Sequence, residues 1–417
     1  MHILHVSWEY PPIVYGGLGR HVHALTQEQA RQGHHVSVLT QRPPGTAAHE
    51  RPDGVNIIRV SPPLPEVPRE PAGLVEWVRG LDTAMASTIV TVLDDARPDV
   101  VHAHDWVVTH TALAARRISS SPLVSTIHAT EAGRHQGWVS GDISTHIHHL
   151  EFRLANASQR IITCSTSMRS DVSTLFDIRA ADIDVIPNGI DLRDWSVPDE
   201  DIEQARQRWS PNGRLGVFVG RLEWEKGVHT LLDAIPELNS TDLRFVVAGT
   251  GTYEPELVRR ASDLLGQDKV AFTGWLSEPE LKALEAAADV IVVPSLYEPF
   301  GLVALEAGAL GVPVVVAETG GLVDIVDGGT AGYLFKASDP RSLASAIDHA
   351  LGDRSETAHR VAALKHRIET TYQWERIAQQ TVESYEAAIT EQSANGPRPL
   401  DIAVPLTPDQ NLLAPSG

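Results

Sequence analysis

Short apolar runs alternate with longer amphipathic stretches through the first half of the chain, and the same alternation begins again in the second half. Residues 3–6, 36–40, 55–60, 100–103, 123–127 and 160–163 read as strands, with helical patterns over 21–32, 74–93 and 143–157. The second half gives strands over 215–219, 244–248, 270–272, 290–293 and 312–316. Its helical patterns cover 228–234, 253–265, 278–288, 303–309 and 341–351. Apolar runs that do not alternate in polarity belong to strands buried on both faces, and regular strand–helix alternation gives a parallel sheet covered by helices. The expected fold is α/β, with two doubly wound, Rossmann-like domains.

The acidic stretch 191–210 has no apolar run and reads as a linker, which sets domains at 1–195 and 196–372. A long helix follows over 373–391, and the proline-rich tail 392–417 reads as disordered. Ligands of open α/β sheets bind beyond the carboxyl ends of the strands. The residues just after each strand are therefore the ones to inspect.

After the first strand come Gly16-Gly17-Leu18-Gly19 and a helix. Glycines at a helix start let the backbone approach an anion, although a plain tight turn has the same composition. The dinucleotide fingerprint fails here, because the frame that starts at Gly17 needs glycine where Val22 stands. After residue 219 come Arg221 and Lys226, two cations on one strand-to-helix loop, with Glu223 and Glu225 beside them. Two such cations can neutralise a diphosphate, or can simply pair with those glutamates. After residue 293 come Glu298 and, across the seven intervening residues Pro299-Phe300-Gly301-Leu302-Val303-Ala304-Leu305, Glu306. A carboxylate next to backbone amides at a helix start suits a ligand with both hydroxyls and a phosphate. His102, His104 and Asp105 close another strand, and His128 the next. His102 and His104 share one side of a strand, an arrangement compatible with a metal but more common for hydrogen-bonded structural histidines. No metal and no cofactor are expected.

Composition narrows the partners. Against 34 Lys and Arg stand 54 Asp and Glu, for a formal net charge of −20. So acidic a chain is a poor non-specific binder of nucleic acid or anionic lipid. No apolar run is long enough for a membrane span, no signal peptide is evident, and the single Cys164 allows no internal disulfide. A cytoplasmic protein is expected, with its oligomeric state open.

Taken in order, these segments resemble the retaining family 4 glycosyltransferases, which include glycogen and starch synthases. The resemblance spans about residues 1–390. It rests on Gly16-Gly17-Leu18-Gly19, the Arg221 and Lys226 pair, Glu298 with Glu306, and Thr319-Gly320-Gly321-Leu322. The chain looks especially like the actinobacterial α-1,4-glucosyltransferases of glycogen and methylglucose lipopolysaccharide synthesis, through Ser7-Trp8-Glu9-Tyr10-Pro11-Pro12, Thr126-Ile127-His128-Ala129-Thr130-Glu131 and Gly137-Trp138-Val139-Ser140-Gly141. The resemblance implies a GT-B fold with a nucleoside-diphosphate-glucose donor held in the interdomain cleft and an α-glucan acceptor. It implies that Gly17 meets the donor phosphate, that Arg221 and Lys226 hold the departing diphosphate, and that Glu298 takes the sugar hydroxyls. Gly301, Leu302 and Val303 would lend backbone amides and Glu306 would bind the ribose. Thr319 and Gly320 would belong to the donor site, and Trp275 would lie near the base. His128 would touch the sugar, and Asp105 would line the acceptor side.

Retention by double displacement needs a carboxylate opposite the leaving group. None stands out, so same-face substitution is expected, with the leaving phosphate helping to deprotonate the acceptor. One departure bears on the donor. Glycogen and starch synthases carry Lys-x-Gly-Gly-Leu-Gly-Asp, where this chain has Val14 and Arg20 at the outer positions. ADP-, UDP- and GDP-glucose therefore all stay open. Other readings are a transferase acting on an inositol or lipid-linked acceptor, a sugar-nucleotide epimerase, and a non-catalytic sugar-nucleotide-binding protein.

Overall fold

The computed structural model describes residues 1–64, 67–68, 71–95, 97–266, 269–400 and 410–413. The chain divides into two compact units, one of residues 1–189 with 374–417 and the other of residues 190–373.

The first unit carries strands β1 (His2–Val6), β2 (His35–Gln41), β3 (His49–Glu50), β4 (Asn56–Val60), β5 (Val100–His104), β6 (Leu123–Ile127), β7 (Trp138–Val139), β8 (Arg160–Thr163) and β9 (Ile183–Val185). Eight of them form one sheet in the order β3-β4-β2-β1-β5-β6-β8-β9, parallel except where β3 runs against β4. β1, β5 and β6 are buried at their centres, with His5, His102, Ser125 and Thr126 set among the apolar residues of these strands. The chain moves outward from β1 to β2 and β4, then crosses back to lay β5 on the other side of β1. The resulting switch point lies between β1 and β5, and their carboxyl ends carry His5, His104 and Asp105.

One side of this sheet is covered by the first helix, Gly17–Arg31, and the C-terminal helix, Trp374–Asn395. Ile377, Val382, Tyr385 and Ala388 of the C-terminal helix join Ile3, Val22, Val36, Val100 and Val124 in a single core. Arg160 of β8 bonds both Asp184 of β9 and Glu391 of that helix. Arg398 bonds Asp182 at 2.7 Å, farther along the tail.

The second unit carries β10 (Arg214–Val219), β11 (Leu243–Ala248), β12 (Val270–Gly274), β13 (Val290–Val293), β14 (Val314–Ala317) and β15 (Tyr333–Phe335). They form an all-parallel sheet in the order β12-β11-β10-β13-β14-β15. The same outward-then-back path puts its switch point between β10 and β13.

Most expected strands occur within a residue or two of their sequence-read bounds. The differences have clear causes. The acidic stretch read as a linker contains the helix Asp199–Trp209, whose early Asp199, Glu200 and Asp201 favour its N-terminus. The division between units falls ahead of it, after Gly189. The helices Thr109–Ser119, Thr166–Phe176 and Arg354–Thr371 are additional to those expected from the sequence. The tail read as disordered is in part ordered. Residues up to Asn395 complete the C-terminal helix, and β16 (Gln410–Asn411) pairs antiparallel with β7. The rest of the tail, 401–409 and 414–417, lies outside the described residues.

Candidate active site

In the second unit, the loops after β10 and β13 flank the switch point and are locked together. Leu296 N–H donates to the Glu225 carbonyl at 2.7 Å, joining one loop to the other. Gly227, at φ +68°, lies so close to Pro294 that a β-carbon would sit 1.9 Å from the Pro294 carbonyl oxygen. This contact explains the glycine at the start of the helix Val228–Ala234. Lys226 reaches across and donates from Nζ to Glu298 Oε2 at 2.8 Å, and Ser295 Oγ donates to the same oxygen at 2.9 Å. Glu223 and Glu225 are the neighbouring partners for the two cations in the sequence. The structure gives Glu225 to Arg221 at 3.2 Å and Glu223 to the amide and hydroxyl of Thr252. Arg221 stays half-exposed.

Glu298 is supported from below by Thr319-Gly320-Gly321. Gly321 N–H donates to the Glu298 carbonyl at 2.9 Å, and Thr319 Oγ1 donates to the Leu296 carbonyl at 3.2 Å. Gly320 sits at φ +53°, with its backbone pressed on Glu298. The motif therefore has a packing task that its sequence did not reveal. Gly301, at φ +113°, caps the helix Leu302–Leu310, and a β-carbon there would meet Leu322 at 2.5 Å. The first-turn amides of Leu302 and Val303 have no acceptor within the helix. Glu306 is buried on the second turn of that helix. Trp275 follows β12 and is 78% exposed, a free aromatic face.

In the first unit, Gly17 opens the first helix behind Gly16. The loop before it is gathered around buried Glu9, whose Oε2 accepts from the amides of Tyr15 at 2.9 Å and Gly16 at 3.2 Å. Burial raises the Glu9 carboxyl even so. Gly19 leaves only 3.0 Å between a β-carbon and that carboxylate, so the glycine run serves Glu9 as well as any ligand.

Asp105 directly follows β5 at φ +61°, an unusual conformation for a residue with a side chain. Its amide donates to the Thr126 carbonyl at 3.0 Å, and its Oδ1 accepts from the His128 amide at 2.7 Å. Burial pushes its carboxyl up to about 6. His128 is held by its backbone to Asp105 and by its ring to His104, with Nε2 to Nδ1 at 3.3 Å. His104 Nε2 in turn lies 3.1 Å from His5 Nδ1. His5 Nε2 lies 2.8 Å from Gln29 Oε1. His102 is bonded to Tyr385 at 2.6 Å and to Thr126 at 2.7 Å.

Burial keeps all of these rings neutral near pH 7. It lowers His5 to about 4 and His128 to about 3, and takes His21, His102 and His104 well below the usual range. His5, His102 and His104 bring ring nitrogens within 4.8 Å of one another, as do His21, His104 and His128. Hydrogen bonds occupy both ring nitrogens of His5, His102 and His104. Nothing in the sequence marks Gln29 or Tyr385, which meet at 3.1 Å although 356 residues apart.

Each unit thus concentrates its polar groups where a doubly wound sheet binds ligands. Residues 15–194 match the family described as Glycosyltransferase Family 4, and residues 199–366 match Glycosyl transferases group 1. Over 404 residues the chain is 41% identical to a glycogen synthase of Mycobacterium tuberculosis (strain ATCC 25618 / H37Rv), covering 93% of this chain and 95% of that protein. This chain is a family 4 glycosyltransferase.

The enzyme is also 32% identical to a D-inositol 3-phosphate glycosyltransferase of Frankia alni, over 90% of this chain and 95% of the relative. Its fold matches a sucrose-phosphate synthase of Thermosynechococcus elongatus, with a TM-score of 0.76 at 24% identity, over 93% of this chain and 99% of that one. The glycosyltransferase therefore has the GT-B fold. No described helix is long and apolar enough to cross a membrane.

Proposed function

We propose that the enzyme moves glucose, with retention, from a nucleoside-diphosphate-glucose to the non-reducing end of an α-1,4-glucan. The observation that carries the reading is the Lys226–Glu298 pair at the switch point of the second unit, with Arg221 on the same loop. Breaking the bond between the anomeric carbon and the diphosphate puts positive charge on the sugar and negative charge on the leaving group. Lys226 has three donors, one of which Glu298 occupies, so the others can serve phosphate oxygens. Glu298 keeps Oε1 for sugar hydroxyls while its Oε2 fixes the lysine. Arg221 adds a second cation, and the amides of Gly301, Leu302 and Val303 add fixed dipoles. Glu306 takes the ribose, Trp275 the base, and Thr319 and Gly320 hold the loop under Glu298. From the first unit, Gly17 serves the phosphate, His128 the sugar and Asp105 the acceptor side. The leaving phosphate accepts the acceptor proton, so the step needs no metal and no cofactor.

The glucan acceptor is supported by the 41% identity to a glycogen synthase over nearly the whole chain. The relative that acts on D-inositol 3-phosphate supports a second reading, the same transfer to a small phosphorylated acceptor.

The test is a donor screen with ADP-, UDP- and GDP-glucose against glycogen, maltooligosaccharides and inositol phosphate, with and without chelator. Nucleoside diphosphate release and chain extension are followed together. We expect chelator-insensitive extension with one donor. For Lys226→Ala we expect a loss in kcat of at least about 100-fold with glucan binding retained. Transfer to inositol phosphate alone establishes the second reading. Full activity in Lys226→Ala removes the leaving-group assignment, and release from no donor removes the transferase reading of this substrate class.

A further inference from the structure

We propose that Gln29 and Tyr385 are positioning residues that fix His128 as a hydrogen-bond acceptor at Nδ1, through a directional chain of neutral side chains. The proposal rests on the reading that His128 serves the sugar. The chain follows neighbouring strands: His128 lies just beyond β6, His104 ends β5 and His5 lies in β1. Gln29 comes from the first helix and Tyr385 from the C-terminal helix.

The amide of Gln29 sets the direction. A neutral imidazole has one N–H and one lone pair. Gln29 Nε2 donates to the Tyr385 hydroxyl at 3.1 Å, so its Oε1 faces His5 as an acceptor. His5 must therefore carry its proton on Nε2, which leaves Nδ1 as a lone pair. That lone pair, 3.1 Å from His104 Nε2, requires the proton on His104 Nε2. His104 Nδ1 is then a lone pair 3.3 Å from His128 Nε2, which requires the proton on His128 Nε2. His128 is left with a bare Nδ1, and no described protein group bonds to it. The branch closes consistently: Tyr385 donates to His102 Nδ1 at 2.6 Å, and His102 Nε2 donates to Thr126 Oγ1 at 2.7 Å. Burial that keeps every ring neutral is what makes the chain directional, since an imidazolium has no lone pair to pass the constraint on.

The consequence is electrostatic. A sugar hydroxyl both donates and accepts and can bond to either tautomer, but only the bare lone pair turns the negative end of the ring dipole toward a carbon that becomes positive in the transition state. The opposite tautomer turns an N–H toward it. The effect is therefore one on kcat rather than on donor KM.

The experiment uses the full chain labelled with 15N-histidine, with the His128 signals assigned from their loss in His128→Asn. In the parent we expect His128 Nδ1 unprotonated and Nε2 protonated at pH 7. Gln29→Leu removes the acceptor for His5 and lets the chain reverse, so His128 Nδ1 becomes protonated. The expected loss in kcat is about tenfold, with donor KM changed by less than about twofold. Gln29→Glu accepts from His5 as before and restores both the parent pattern and most of the rate. Should Gln29→Leu fail to fold, Tyr385→Phe frees the amide to turn over, and a mixture of both His128 tautomers is expected. Protonated Nδ1 in the parent overturns the proposal. So does an unchanged tautomer in Gln29→Leu or, where that variant does not fold, in Tyr385→Phe. Equal losses of rate in Gln29→Leu and Gln29→Glu also overturn it, because packing alone then accounts for them. If the parent turns over no nucleotide-sugar, the nitrogen spectra still decide the chain, and only the proposed function falls.

Discussion

Asp105 shows how much a single side chain here depends on its surroundings. It sits at φ +61°, a cost that a glycine at this position would avoid, yet its carboxylate is fixed on the His128 amide. Its position at a strand end was legible as a candidate, because polar residues that close apolar runs lie at the ligand-binding edge of such sheets. Its burial and its bond to His128 were not, because they depend on β6 lying beside β5. Its carboxyl titrates near 6 in the fold and near 3.8 when unfolded. The folded state therefore holds the proton more tightly, and the stabilisation is complete below the unfolded value. It is lost as pH rises through about 6 and is constant above that. Against Asp105→Asn, the parent should lose relative stability between pH 4 and 6, by about 1.4 kcal/mol per unit at the steepest. Urea midpoints at pH 4.5, 6 and 7.5 check this; equal differences at all three refute it.

At the scale of elements, the strands were the most readable part. Runs such as Val290–Val293 and Val314–Ala317 are buried along their length, and burial on both faces leaves a continuous apolar signature. Loops carry no such signature. Thr319-Gly320-Gly321-Leu322 was visible as a motif, but its hold on the Glu298 loop is a contact between residues 23 apart in the chain. Gly320 is where this matters most. An added β-carbon would lie 1.9 Å from the Glu298 carbonyl oxygen, at a φ of +53°. Gly320→Ala should cost more than about 2 kcal/mol, because neither backbone can yield without moving the other. Transferase activity should fall further than the melting temperature alone accounts for, since Glu298 moves with its loop. A variant with parent-like kcat and melting temperature contradicts this packing account.

At the scale of the whole molecule, the C-terminal helix is the decisive element. It follows the second unit in sequence but completes the core of the first, through Ile377, Val382, Tyr385 and Ala388. A chain ending at Gln373 loses these contacts. Large-to-small changes in a core cost about 2–5 kcal/mol each, against about 5–15 kcal/mol for a whole domain. The first unit should therefore lose its cooperative unfolding transition while residues 190–373 keep theirs; two intact transitions in calorimetry refute this. By itself the sequence determined the α/β class, the presence of two doubly wound units, the strand ends that carry polar residues and the family. These follow from local apolar periodicity and from motifs continuous along the chain. Only the tertiary structure decided that Lys226 pairs with Glu298, that Glu9 gathers the glycine loop and that the unit boundary precedes the acidic helix. The link from Gln29 and Tyr385 toward His128 is of the same kind. Each of these joins residues far apart in the chain, and a neutral imidazole has no preferred tautomer until its neighbours supply one.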